Sequence, residues 1–222
     1  MKQIFTLVIL VSLCLYSCNN EVVYSCDENI NEWVHENLSD IRIMSRSEWN
    51  NLEEDIKVPV YRAFTHQQRV NFWKNRFSDI LALEWSDEEK AHIGLLLDFV
   101  NDNQYIFEGY DIMSDKEKNI FDLFIYEWKD KARVDFGWSN SLLFSILASG
   151  NTMLDTTGTL LITSNKKNSR YLEPYSSCNC STSSDWCDSS SINECEKKSC
   201  DDSTYGCGTI WIYSCNGVCG GI

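Results

Sequence analysis

The sequence predicts a mainly α-helical protein, with an N-terminal domain of five or six helices followed by a small disulfide-rich module with little regular structure. Three segments open on a capping box, in which a hydroxyl and a side chain three residues later satisfy each other's orphan backbone donors. Apolar residues recur at helical spacing after each box. Eight of the eleven cysteines fall within Cys178–Ile222, and none lies between Cys26 and Cys178. That density, far above the ~8–10% that marks a short secreted disulfide scaffold, separates the last 45 residues from the rest.

At the N-terminus, Lys2 precedes an almost unbroken apolar run from Ile4 to Tyr16. The run has the length of a signal-peptide core and is too short to span a bilayer as a helix. It ends in Leu15-Tyr16-Ser17-Cys18, which resembles the bacterial lipobox, where the cysteine is acylated and becomes the mature N-terminus. Cys14 is a poorer candidate, because bulky Leu13 precedes it. The expectation is a lipoprotein signal peptide over 1–17, lipidation at Cys18 and a tether over 18–26. Such a protein is exported and lipid-anchored in the bacterial cell envelope, the outer membrane being one destination.

A helical domain is expected over 27–163. The boxes are Thr65-His66-Gln67-Gln68, Ser86-Asp87-Glu88-Glu89 and Ser114-Asp115-Lys116-Glu117. Val70, Trp73, Phe77, Ile80 and Leu81 follow the first; Ala91, Leu95, Leu96, Phe99 and Val100 the second; Ile120, Phe121, Phe124, Ile125 and Trp128 the third. These stripes are expected to share a core. Further helices are read over Glu28–Asn37 and Ser47–Ile56, before Pro59 interrupts the pattern. Leu142, Leu143, Ile146 and Leu147 mark another over Ser139–Ala148, with Gly150 placed to stop it. Helices joined by short turns give a bundle-like or orthogonal arrangement.

Beyond Gly150, Thr159–Thr163 reads as a short strand and 164–177 as a linker. Lys166, Lys167 and Arg170 make that linker basic within an acidic chain, and an exposed basic linker is a candidate protease site.

The formal net charge is −14, and loss of 1–17 removes Lys2 and no acid. A chain this acidic is repelled by phosphate, which argues against a nucleic-acid partner. Catalytic signatures are missing as well. His35-Glu36-Asn37-Leu38-Ser39 begins like a zinc-protease helix but has Ser39 where the second histidine ligand is needed. His66 and His92 are the remaining histidines, and all three are expected on helices amid polar neighbours. No nucleophile elbow, phosphate loop or dinucleotide fingerprint occurs, so no enzyme, catalytic residue or cofactor is expected.

The tail carries Cys178, Cys180, Cys187, Cys195, Cys200, Cys207, Cys215 and Cys219 without a single Cys-x2-Cys and without histidine. Zinc modules favour such pairs, and exported proteins meet an oxidising environment, so four disulfides are expected rather than a metal. Eight cysteines allow 105 pairings, and the sequence does not choose among them. Cys26 is left over: free, joining two molecules, or displacing one tail pairing. Gly206, Gly208 and the run Gly217–Gly221 mark turns needing positive φ. Thr209–Tyr213 is the tail's most β-prone run, read as a central strand or an exposed face, with Ile210, Trp211, Ile212 and Tyr213 as the candidate contact surface.

The run Cys178-x-Cys180, Asp185-Trp186-Cys187, Gly206-Cys207-Gly208-Thr209-Ile210-Trp211 and Cys215-Asn216-Gly217-Val218-Cys219 resembles the fulvocin C-related family of bacteriocins and lipid-anchored relatives. The resemblance covers 178–222, and the helical part is similar to the N-terminal region of the longer members. It implies an antibacterial module at the C-terminus of an envelope protein, acting in place or released by cleavage near Arg170, and no catalytic residue. The tail's two lysines against six acids argue against lysis of anionic lipid. Recognition of a receptor through the aromatic run fits better. The alternative function is a non-toxic surface or periplasmic binding module for a protein or glycan. In either case the membrane is a partner through the lipid anchor, and the target is unnamed by the sequence.

Overall fold

The computed structural model describes residues 22–162, 178–187, 194–198 and 205–220. The signal segment, Cys18, the linker with Arg170, and Cys200 lie outside the described residues. Within them the protein is mainly α-helical, with eight α-helices rather than five or six: α1 (Glu28–Glu36), α2 (Leu38–Ile41), α3 (Arg46–Asn50), α4 (Glu54–Ala63), α5 (His66–Leu81), α6 (Asp87–Asp102), α7 (Asp115–Phe136) and α8 (Asn140–Leu147). Single-turn 3-10 segments cover Gln104–Glu108, Tyr110–Ile112 and Thr209–Trp211.

The boxes at Thr65, Ser86 and Ser114 form as expected, each hydroxyl accepting from the backbone three residues on. A fourth, Ser45 with Glu48, starts α3 two residues before the expected helix. That helix also breaks at Asn51–Glu53, and α4 continues through Pro59 rather than stopping ahead of it. An internal proline deprives the carbonyl four residues back of its donor. Here that carbonyl belongs to Asp55, an exposed residue in the first turn of α4, while Pro59, Val60 and Tyr61 are buried. Gly137, in the left-handed conformation at φ 67°, closes α7.

Trp49, Trp73, Trp128, Tyr61, Phe77, Phe107 and Phe121 are among the largest fully buried side chains. Two stripes are rotated from expectation. Leu95 and Ile120 face outward, while His92 and Ile93 turn inward beside Leu96 and Val100. His92 therefore packs among aromatic rings, with Lys131 and Asp135 close by: its ring stacks on Trp128 at 4.6 Å, with Phe136 and Trp138 nearby. Trp128 Nε1 donates to the His92 carbonyl at 2.9 Å, and His92 Nε2 lies 3.0 Å from the Trp128 carbonyl.

The C-terminal end of α8 is held by two buried arginines. Arg76 Nη2 donates to the Ser145 carbonyl at 2.7 Å, and Arg46 Nη1 to the Gly150 carbonyl at 2.9 Å. Cations at a helix C-terminus complement its dipole and its orphan carbonyls. Burial, the dominant cause, pushes the Arg76 guanidinium down to about 9. Gly150 does not stop α8, which ends at Leu147. A Cβ there would lie 2.6 Å from Trp211 and 2.8 Å from Trp49, so glycine is required by the approach of the two rings.

Thr159–Thr163 does not form a strand over its described part. A single bridge joins Leu160 to Met153, across a turn in which Gly158 has φ 93°.

Among the described residues the tail contains one antiparallel pair, β1 (Cys195–Lys197) with β2 (Gly217–Cys219), in the register Cys195 to Cys219 and Lys197 to Gly217. Gly217 thus opens a strand, and neither it nor Gly220 has the positive φ expected of a turn, which Gly206 and Gly208 do adopt. Disulfides join Cys180 to Cys195, Cys187 to Cys219 and Cys207 to Cys215. Cys178 is also disulfide-bonded, and Cys26 is a free, half-buried thiol.

The expectation that fails most clearly is the aromatic run. Thr209–Trp211 is a 3-10 turn rather than a strand, and Ile210, Trp211, Ile212 and Tyr213 are each at most 9% exposed. They belong to the hydrophobic core of the helical body. Cys207 and Tyr213 exchange backbone hydrogen bonds, and Gly206 N donates to the Trp211 carbonyl at 2.8 Å. These bonds and the Cys207–Cys215 bridge close a loop whose tip is Trp211. The Trp211 ring sits 5.0 to 6.0 Å from those of Trp49, Tyr61, Phe72 and Trp73, and its Nε1 donates to the Ala148 carbonyl at 2.8 Å. Ile210 and Trp211 adopt φ of 44° and 55°, a conformation costing roughly 1–3 kcal/mol per residue. Burying a tryptophan is worth several kcal/mol, about 4–6 for the 150–250 Å² such a ring covers, and that offsets the strain.

Three further contacts fasten the tail. Tyr213 stacks on Tyr110 at 4.3 Å, and the Tyr110 N–H donates to the Ile212 carbonyl at 2.8 Å. Tyr205 lies under the Arg69 guanidinium at 3.9 Å. Gly206, at φ 113°, passes so near α4 that a Cβ would meet Arg62 Nε at 2.9 Å.

Candidate ligand-binding groove

Docking leaves a groove of about 600 Å³ where the tail meets α7 and α8. One wall comes from α7, whose Phe121, Ile125, Trp128 and Ala132 face the core. Lys129 and Arg133, one turn apart, line the groove. The N-terminal half of α8 adds Asn140, Ser141 and Phe144, and the tail adds Asp185 and Trp186.

Trp186 is fixed by donation from its Nε1 to Thr209 Oγ1 at 3.0 Å, and Thr209 is buried under the Trp211 loop. Lys129 Nζ lies 5.3 Å from the Trp186 ring centre, and the Phe144 ring is 6.4 Å away and tilted. Arg133 directs Nε and Nη2 to Asn140 Oδ1 at 3.3 and 3.0 Å. Asp185 is occupied by the tail, accepting from the backbone N–H groups of Cys187 and Cys195 at 2.8 and 2.9 Å. Among the described residues no carboxylate pairs with Lys129 or Arg133, whereas Lys131 on the same helix lies 3.9 Å from Asp135. Partial burial, and then the charge of Arg133, hold the Lys129 ammonium below its usual range. The groove is thus locally cationic and aromatic in an acidic protein.

The sulfurs of Cys180, Cys187 and Cys195 lie within 4.8 Å of one another, but each is engaged in a bridge and has no thiolate to donate. His35 Nε2 and His66 Nε2 lie 3.0 Å from the Val22 and Gln104 carbonyls, so the three histidines do not converge. No helix among the described residues is long and apolar enough to cross a membrane.

Sequence reasoning missed the groove, since its lysine and arginine lie some fifty residues from its tryptophan. The one available signal was the like-charge pair Lys129 and Arg133 at i, i+4 in an otherwise acidic chain. Compared with known proteins, the chain matches no family model, no curated protein and no solved structure.

Proposed function

We propose that the protein is an exported envelope lipoprotein, anchored through Cys18, that works as one undivided binding module and not as an enzyme. The burial of Ile210–Tyr213 inside the helical body carries this reading. A detachable effector would strip Trp211 out of a five-ring cluster on release, exposing apolar surface on both pieces. Among the described residues a surface suited to a partner is the groove, where side chains from α7, α8 and the tail meet.

Antibacterial action is the second reading, favoured by the cysteine spacing over 178–222 and its resemblance to fulvocin C-related proteins. In that reading the intact chain acts by contact. The test uses the oxidised chain from residue 19 onward, added to bacteria and to isolated cell-envelope material. Retention on the envelope material without growth inhibition is the expected result. Inhibition of growth would transfer the assignment to the second reading, and neither retention nor inhibition would overturn both.

A further inference from the structure

We infer that the groove binds a carboxylate-bearing sugar, an inference that rests on the binding-module reading above. Lys129 and Arg133 repel each other across one turn of α7, at a cost of a few tenths of a kcal/mol for an i, i+4 like-charge pair. Both line the groove, and among the described residues neither has an acidic partner. An anion placed between them removes that repulsion, and it favours the charged form of Lys129, which burial disfavours.

The second requirement is set by Trp186 and Phe144. Both rings are at least partly exposed at the groove, and Trp186 is already immobilised through Thr209. A preformed aromatic face beside charged and hydroxylated side chains suits the flat C–H face of a pyranose, with Ser141 and Asn179 along the rim for its hydroxyls. The volume, about 600 Å³, accommodates a short oligosaccharide.

An acidic peptide fits less well. One mode of peptide binding, the addition of a strand, needs an open sheet edge beside the site. Of the two strands only β2, through Cys219, lines the groove, and β2 is flanked on both sides at Gly217, which pairs with Lys197 and with Cys180.

The test is a calorimetric titration of the full oxidised mature chain with trigalacturonic acid, beside neutral maltotriose and triglutamate. Trigalacturonate is expected to bind at least ten times more tightly than either. Lys129→Gln and Arg133→Gln are each expected to weaken it about tenfold, the scale of one charge-assisted hydrogen bond, with unchanged helical circular dichroism. Lys116→Gln, at an exposed position outside the groove, is expected to leave it unchanged. Equal binding of maltotriose or triglutamate, no binding of trigalacturonate, or indifference to both groove substitutions would overturn the inference. If trigalacturonate fails while the chain is still retained on envelope material, this inference falls and the module reading stands.

Discussion

In the helical body six of the eight described helices open on a side-chain cap from their own first residues, whereas in the cysteine-rich tail almost nothing holds its shape without a partner distant in sequence. The helices α3, α5, α6 and α7 each open on a hydroxyl bonded to its own fourth residue. The tail's described regular structure is a pair of three-residue strands and one 3-10 turn, and the cysteines bridged within it are 8, 15 and 32 residues apart. Yet the tail supplies the body with a ring, Trp211, that packs against four others in its aromatic core. Local encoding and covalent encoding therefore meet at Trp211, and the two regions are expected to fold as one unit.

The harshest way to break that partnership is to end the chain at residue 162. The body then loses Ile210–Tyr213, and about 5 kcal/mol or more of stability goes with them, on the scale of a domain's whole margin. Thermal circular dichroism is expected to show a broad, lowered transition, and an unchanged midpoint would separate body from tail. Trp211→Ala is a milder break, expected to cost about 3–5 kcal/mol in urea unfolding. A loss below about 1 kcal/mol would mean that the cluster collapses around the missing ring.

Removing the bridge alone, as Cys207→Ser with Cys215→Ser, is expected to cost about 2–3 kcal/mol, because only a short loop is released into the unfolded ensemble. Gly150→Ala attacks the same contact from the body's side. Its methyl would press on Trp211 and Trp49, at about 1–3 kcal/mol of overpacking, measurable by denaturant midpoint.

His92 sharpens the comparison through pH, since its titration belongs to the body alone. Nε2 must carry the proton that faces the Trp128 carbonyl, and buried Nδ1 has no hydrogen-bond partner. A second proton would sit there unsatisfied. Burial is the main cause holding the imidazole below its ordinary 6.5, and Lys131 reinforces it; the Trp128 carbonyl and Asp135 act in the opposite direction. A histidine depressed in the folded state favours folding above pH 6.5, and the gain is lost as pH falls below that value. Stability of the wild type should therefore decline between pH 6.5 and 5 more steeply than that of His92→Phe. Parallel pH profiles would remove His92 from the account.

Helix starts were legible because a capping box needs only four adjacent residues. Pro59 was misread because its cost depends on whether the carbonyl at Asp55 meets water, a fact of packing. The aromatic run was misread for a related reason. Thr209–Tyr213 has strand propensity, but propensity does not report that a tail of 45 residues lacks a core of its own and will borrow one. Gly206 and Gly208 carried the hint, since both adopt positive φ where the chain turns to insert Trp211. The groove depends on the same docking and was invisible until the tail was placed.

Hydrogen exchange of the full oxidised chain in rising urea tests most directly whether tail and body are one unit. The amides of Gly206, Cys207 and Tyr213 in the loop are compared with those of Phe72, Trp73 and Phe77 in α5. Equal opening free energies with equal urea dependence are predicted, the signature of a shared global unfolding. Loop amides that open at lower free energy with little urea dependence would contradict the account.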